Sequence, residues 1–504
     1  MSRQSPLPDS AAMPATRCAR PAPWRPPRWV AGVALLLPAL AACSLTPPLH
    51  RPDADVPSQW SRAVNTSANA AATVDRTWWE SFGDPTLTTL VDRSLGHSFT
   101  LDAAIARLAQ ARASAVQAGS PQFPALGIVG AASRTAQSGD TGNRHSQSVF
   151  LSASYELDLW RRNGATANAA STLADAVAFD RDVAALSLAA SVADTYFAVQ
   201  ALRARLRLAH EIVDNAEQIE DLVQAQYEAG VATQLQLEQQ RNALATFRAA
   251  VPSLQLQLNQ NLHALAVLSG ADPVRMDVPD ASLRHIRVPE PVVDMPATVL
   301  ERRPDIRAAE SRLVSANFSV GAARAAFFPS IVLTAEGGVS SNSLAHFLAN
   351  PLATVAAALT APLLDGGLRR GQLAQQQAVV DERTANYRQA VLSALQDTED
   401  ALSAVHLEQM VETEQTTARG AARAAATLAQ AQYRAGTIDF MSVLDSERTA
   451  YQAEDALLQT RLLRLQAAVG LFRALGGGFD AAPGTASLAE AALAPHAITP
   501  GVLR

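Results

Sequence analysis

The stretch QAQYRAGTIDFMSVLD, residues 430–445, determines how the rest of the chain is interpreted. Gly436 is typical of a tight turn after a helix, and Asp439 stands where a second helix would begin. A near copy, QAQYEAG, ends at Gly230, and six of its seven residues are identical. The chain therefore contains two predicted helical hairpins whose turn glycines lie 206 positions apart.

Other landmarks recur at nearly the same spacing: Phe123-Pro124 as Phe328-Pro329, and Asp158 as Asp365, each acidic residue shortly before an Arg-Arg pair. Landmarks in one order at one spacing indicate two tandem copies of one unit. We predict a first repeat over residues 76–270, a linker over 271–296, a second repeat over 297–478 and an irregular tail over 479–504.

The spacing of apolar residues changes in the same order within each copy. Alternating runs predict strands, and long uninterrupted helical periods predict a coiled-coil-like helix of roughly 100 Å. In the clearest strand the apolar residues alternate with polar ones and face one way: Val149, Leu151, Ala153, Tyr155 and Leu157. The residues that face the other way are polar, with Phe150 as the exception. The predicted strands are about 123–133, 148–160, 328–339 and 354–364, and the long helices about 164–229 and 368–435.

The N-terminal residues have the pattern of a signal peptide. Arginines precede a short apolar run, so residues 1–42 are predicted to be removed. The run ends in Leu-Ala-Ala before Cys43, which resembles a bacterial lipobox. Cys43 would then carry a diacylglycerol and an N-acyl chain, and residues 43–75, rich in Pro, Ser and Asn, would form an extended tether.

Composition and motifs argue against several functional classes. The formal net charge is −6, arginine supplies all the basic side chains, and no basic face for nucleic acid is visible. We find no glycine-rich nucleotide motif, no HExxH and no paired-cysteine metal spacing, so we expect neither enzyme activity nor a metal or other cofactor beyond the lipid on Cys43.

Two interpretations of the four strands remain open. They could form a small water-exposed sheet, or they could lie in a membrane, which the lipid anchor and the alternation over about ten residues favour. An open sheet edge is not tolerated in a bilayer, and four strands cannot close a barrel, so several chains would have to share one. Three chains would supply twelve strands, but the number of chains is not in the sequence.

Five motifs resemble those of the outer-membrane efflux protein family of the TolC and OprM type, in particular its NodT-like lipoproteins of resistance-nodulation-division efflux systems. The resemblance covers about residues 75 to 480. The motifs are WWxxFxDPxL from Trp78 to Leu87, LERRPDI from Leu300 to Ile306, Phe328-Pro329, Asp365-Gly-Gly367, and Tyr433-x-x-Gly436 with Asp445.

The resemblance implies a mainly α-helical chain with a β membrane part. Three chains would form a twelve-stranded barrel in the outer membrane above a long α-helical tunnel through the periplasm. The protein would be the passive exit duct for drugs or other small molecules in a tripartite efflux pump. Its partners would be a periplasmic adaptor (membrane fusion) protein, an inner-membrane resistance-nodulation-division pump and outer-membrane lipid, without nucleic acid.

The resemblance also implies roles for individual residues. The turns at Gly230 and Gly436 would form the periplasmic end of the tunnel. An equally weighted alternative assigns Met441 to ordinary helix packing and Asp445 to an exposed charge near a helix start. The expected aperture residues are Met441, Ser442, Asp445 and Gln236, and the candidates for links between helices are Tyr433, Arg434 and Tyr227.

Two other functions remain as alternatives. A type I secretion exit for polypeptides would use the same architecture, although the lipobox favours the efflux branch. A structural periplasmic lipoprotein would need no pore and no amphipathic strands.

Overall fold

The computed structural model describes residues 44–61, 74–135, 144–291, 293–342 and 351–478. The described residues from Leu45 onward form one compact unit. The predicted signal peptide, Cys43, the polar loop around residues 138–143 and the tail after residue 478 lie outside the described residues.

The order of elements repeats once along the chain. Two helices, two strands, one very long helix and one shorter helix occur in each half, and the long helices have 67 residues each. The returning helices have 35 residues each. The first set is α1 (Pro85–His97), α2 (Phe99–Gly119), β1 (Ala125–Thr135), β2 (Arg144–Leu157), α3 (Arg162–Glu228) and α4 (Gln234–Leu268). The second is α5 (Pro296–Arg302), α6 (Pro304–Ala325), β3 (Ser330–Ser341), β4 (Pro351–Thr360), α7 (Leu368–Arg434) and α8 (Phe440–Ala474).

The structure corrects the ends of the predicted strands. The strand expected over 148–160 runs over Arg144–Leu157 because Asp158 turns away to cap α3, accepting hydrogen bonds from the backbone nitrogens of Asn163 and Gly164 at 3.1 and 2.7 Å. The strand expected over 354–364 runs over Pro351–Thr360. Pro362 follows it and has no N–H to donate to a neighbouring strand.

The four strands form one antiparallel sheet in the order β1-β2-β3-β4. Because side chains alternate along a strand, the register decides which residues share a side of the sheet. Here it brings most of the apolar residues of the four strands to one side, while Val129, Phe150, Val332 and Leu352 lie on the other. This apolar side carries Leu126, Ile128, Val149, Leu151, Ala153, Tyr155, Leu157, Ile331, Leu333, Ala335, Val339, Ala353, Val355, Ala357 and Leu359.

The opposite side, called here the polar side, holds the hydroxyl and acidic residues of the strands. Phe150 interrupts this pattern and lies opposite Gly338. A Cβ atom at Gly338 would lie 2.1 Å from the carbonyl oxygen of Val149 and 2.7 Å from the Phe150 ring. The ring therefore covers the surface that the glycine leaves bare, which explains the exception in the alternation.

The main core lies where α3 and α8 pass the start of the first repeat. Trp78, Phe82, Phe197 and Phe472 pack together there, with the rings of Trp78 and Phe472 stacked 5.2 Å apart. Asp84 begins α1, since its side chain accepts hydrogen bonds from the first-turn backbone nitrogens. This core joins the two repeats into a single folded unit.

The predicted tether is attached to the helices over its described part. The side chain of Asn317 on α6 donates to the carbonyl oxygen of Pro47 at 2.8 Å, and the Trp60 indole donates to the carbonyl oxygen of Asp294 at 2.8 Å. A Cβ atom at Gly321 of α6 would lie 2.3 Å from the Thr46 hydroxyl. Residues 45–61 are therefore an extended strap packed on the second repeat, not a free tether.

The predicted linker is also packed against the helices. The buried side chain of Gln200 on α3 donates to the carbonyl oxygen of Pro279 and accepts from the backbone nitrogen of Ala281, each at 2.9 Å. Leu283 and Ile286 are buried in the main core. The linker therefore contributes to the core.

Candidate functional site

The two hairpin tips have the same backbone geometry. Gly230 and Gly436 adopt left-handed conformations with φ of 75° and 72°. The backbone nitrogen of each glycine donates three residues back, and the next nitrogen donates five residues back, to Gln226 in one tip and Gln432 in the other. These paired bonds satisfy the last carbonyls of α3 and α7 and form a helix-terminating turn that glycine favours.

Two of the expected aperture residues lie in the first turns of the returning helices. The side chain of Gln236 accepts from the backbone nitrogen of Thr233 at 2.8 Å, and Thr233 in turn caps α4. Ser442 donates its backbone N–H to Asp439 at 2.7 Å, and this hydrogen bond lowers the pKa of the Asp439 carboxyl. Gln236 and Ser442 therefore occupy equivalent positions beside a helix cap.

An apolar cluster joins the tips of the two repeats. The tip cluster consists of the buried residues Val223 of α3, Leu237 of α4 and Phe440 of α8, with Tyr433 of α7 packed against them. The Tyr433 ring lies 5.6 Å from the Phe440 ring, and its hydroxyl donates to the Gln226 side chain at 3.2 Å. Tyr433 thus makes a contact between helices of different repeats.

The other two link candidates make no such contact among the described residues. Tyr227, the equivalent of Tyr433 in the first repeat, has 41% of its surface exposed. Arg434 is exposed, and within the described part of the chain no ion pair involves it. Both side chains therefore face outward from this subunit.

A groove of about 260 Å³ lies between α4 and α8 beside the tip. Met441 and Asp445 are exposed at its edge, and Asp445 pairs with Arg448 at 2.6 Å. Of the four expected aperture residues, Met441 and Asp445 are thus close together, whereas Gln236 and Ser442 lie beside the helix caps.

Two buried polar residues in this groove were not anticipated from the sequence. Glu447 accepts a hydrogen bond from Gln430 at 2.7 Å, and burial raises the pKa of its carboxyl. The side-chain oxygen of Gln240 is buried without a hydrogen-bond partner among the described residues. Comparison of the two repeats offers one sign that Glu447 is unusual. At the position equivalent to Glu447 the first repeat has Arg241, so the charge is reversed.

The fold and the tips together define a class of protein. A sheet with one largely apolar side and two free edges is suited to a membrane, and hairpins whose long helices extend roughly 100 Å are suited to crossing a compartment. Among the described residues no group of three or more His, Cys, Asp and Glu side chains could hold a metal ion. This is the architecture of a channel that extends from a membrane.

The chain belongs to the outer membrane efflux protein family, whose model matches it twice, at residues 90–271 and 295–477. It is 37% identical to the pyoverdine export outer membrane protein OpmQ of Pseudomonas aeruginosa over 453 residues, 88% of this chain and 95% of that protein. It is 32% identical to the cation efflux system protein CusC of Escherichia coli over 459 residues, 88% and 97% of the two chains.

A solved structure of the outer-membrane channel OprN superimposes with a TM-score of 0.80 at 30% identity, covering 87% of this chain and all of that one. The family, the relatives and the fold agree. The protein is an outer-membrane channel component of an efflux system, and its relatives are channel proteins, not enzymes.

Proposed function

We propose that three copies of this chain share one closed barrel of twelve strands and form a passive exit duct through the outer membrane. The observation that carries the proposal is the sheet itself. Its edges, β1 and β4, each have one side without a partner strand in the subunit, and its apolar side is continuous across all four strands. Unpaired backbone groups find no water in a bilayer, so neighbouring copies must supply the missing partners.

Aromatic residues at the helix-side end of the sheet support a membrane position. Tyr155 lies on the apolar side near that end, and Trp160 stacks on Phe328 with ring centres 4.7 Å apart. Phe123 and Phe327 are exposed at the same level. Aromatic girdles of this kind mark the boundary between lipid and water in outer-membrane barrels.

The remaining parts of the assembly follow from the sequence resemblance. The duct would operate with a periplasmic adaptor and an inner-membrane resistance-nodulation-division pump, which supplies the energy, and the lipid on Cys43 would anchor each copy. OpmQ is named for the export of pyoverdine and CusC for the efflux of cations, two chemically different cargoes on one architecture. This supports a duct that conducts many small molecules and leaves the choice of cargo to the pump.

The tips would form the gate of the duct. The tip cluster holds the hairpins of the two repeats together, while Met441 and Asp445 remain exposed beside it. Gln236 would support the gate through the cap of α4, and the Ser442 backbone would support it by binding Asp439 at the start of α8, the helix that carries Met441 and Asp445. Tyr227 and Arg434, both exposed, would contact the neighbouring copy.

The first experiment measures the mass of the detergent-solubilised mature protein and its conductance in planar bilayers. We expect a trimer with a small, mostly closed conductance that rises when Asp445→Ala and Met441→Ala are combined. The control combines Leu235→Ala and Gln239→Ala, the equivalent positions of the first repeat, and should leave the conductance low. A monomer without conductance in wild type and double variant would refute the duct.

The lipid anchor has a separate test. Cells grown with radiolabelled palmitate should label the wild-type protein but not the Cys43→Ser variant. Equal labelling of the two proteins would refute lipidation at this residue.

A further inference from the structure

One acidic side chain on the polar side of the sheet is left without a cation. Glu336 lies within β3, and the register places Ser152 of β2 and Thr354 of β4 on either side of it. Its only hydrogen bond in the described part of the chain comes from the Ser152 hydroxyl at 3.5 Å, and its side chain is exposed. Ser152, Thr334 and Thr354 beside it have short side chains, and the larger Phe150 and Leu352 lie at the next register position.

The other acidic residue on the polar side is bound differently. Both carboxyl oxygens of Glu156, near the helix end of β2, accept hydrogen bonds from Arg162 at 2.9 Å. That ion pair fixes the junction between strand and helix and carries no net charge. Glu336 therefore differs from Glu156 in position and in charge balance, and no ion pair with its carboxyl group is found among the described residues.

In a closed barrel the polar side faces the interior, because the apolar side must face lipid. Barrels of about eight strands are filled by their own side chains, whereas those of about sixteen hold an aqueous channel. Twelve strands lie between these limits, and Ser152, Thr334 and Thr354 around Glu336 add little bulk. An unneutralised charge in a confined space with low-dielectric walls acts strongly on passing ions.

We propose that the three copies of Glu336 form an acidic ring inside the shared barrel that favours cationic over anionic solutes. The inference rests on the proposed duct, and it adds a preference for one class of solute at the outer part of the pathway. The ring biases passage and does not choose the cargo. A potential of about one kT at the ring would enrich cations and deplete anions by about threefold each.

The test is the reversal potential of single channels under a KCl gradient. Recordings use the trimeric protein in the combined Asp445→Ala and Met441→Ala background, which we expect to conduct and in which Asp445 cannot be the source of selectivity. In Glu336→Gln we expect the ratio of potassium to chloride permeability to fall by about sevenfold, because the enrichment of cations and the depletion of anions are both lost. In Glu336→Lys we expect the preference to shift towards chloride.

Salt concentration and a matched variant separate charge from shape. At about 0.01 M salt the Debye length is about 30 Å and the effect should be large, whereas at about 1 M it is about 3 Å and the effect should vanish. Thr334→Gln adds bulk on the same side of β3 without changing charge, and it should leave the permeability ratio unchanged.

The outcomes distinguish the two proposals. A conducting trimer whose permeability ratio is the same in Glu336→Gln would overturn the acidic ring and leave the duct intact. An equal loss of selectivity in Thr334→Gln would also overturn it, because bulk would then be the cause. Absence of conductance in the background protein would instead refute the duct.

Discussion

Replacing Phe440 by alanine should loosen the two hairpin tips. The side chain is 2% exposed and packs against Val223, Leu237 and the ring of Tyr433. Truncating a buried Phe to Ala costs about 3–5 kcal/mol, part of which comes from the cavity that the smaller side chain leaves behind. Because these partners belong to both repeats, the substitution weakens the packing that holds the hairpins together.

The expected change in function follows from this free energy. Suppose that the Phe440 packing stabilises only the closed tips and that the substitution removes about 3 kcal/mol of this stabilisation. The ratio of open to closed channels then rises about a hundredfold, at roughly 1.4 kcal/mol per tenfold change. If half of the loss is shared by the open state, the rise is still about tenfold. Single-channel open probability measures this ratio directly.

Hydrogen exchange provides a second measurement at the same place. In Phe440→Ala the amides of residues 219–240 and 430–445 should exchange faster, while those of the main core should not change. The control is Leu235→Ala, which removes a tip side chain that is 66% exposed and should have little effect. A trimeric Phe440→Ala protein with the open probability and exchange rates of wild type would refute the role of the tip cluster.

Three further predictions concern the buried carboxyl, the sheet and a helix junction. Burial raises the pKa of Glu447, so the packed tips favour the neutral form of its carboxyl group. The stability of the tips should therefore fall as the pH rises above about 4.3, the ordinary pKa of a glutamate. Hydrogen exchange at the tips measures this, and Glu447→Gln should abolish the pH dependence. Gly338→Ala places a Cβ atom 2.1 Å from a backbone oxygen of β2 and should prevent trimer formation. Gly337→Ala, whose Cβ atom would have no neighbour within 4 Å, should form trimers normally. Native mass spectrometry of both variants measures the outcome. The Arg303 side chain is 9% exposed and donates to the carbonyl oxygens of Ala394 and Ala474 and to the carboxyl groups of Asp305 and Asp397. Arg303→Ala should therefore cost about 3–5 kcal/mol and lower the midpoint of thermal unfolding more than Arg302→Ala, and equal midpoints would contradict this.

Much of the candidate site could be predicted because its signals are local. A glycine after a helix, a capping residue three positions later and a repeat of both along the chain locate the tips at Gly230 and Gly436. Tyr433 was recognised through the same motif. Phe440 was not, since its equivalent in the first repeat is Gln234, and nothing in the pattern indicates that one aromatic side chain packs against helices of both repeats.

The ends of the strands show where local patterns stop being sufficient. Alternation continues through Asp158, but the side chain of that residue is used to cap α3. The strap over residues 45–61 has the composition of a flexible segment, yet it packs on the second repeat through Asn317 and the bare surface of Gly321. In both places an interaction with another element overrides what the segment alone would favour.

The amino-acid sequence alone determined the tandem repeat, the lengths of the helices, the alternation of the strands and the glycine turns, since each depends on residues that are near one another along the chain. The tertiary structure decided which residues of the four strands share a side of the sheet, and that Phe440 packs between the tips. It also decided that Glu336 is exposed without an ion-pair partner among the described residues, while Glu447 is buried. Those features depend on packing between distant or neighbouring elements, and only the arrangement of helices and the register of the sheet bring such residues together.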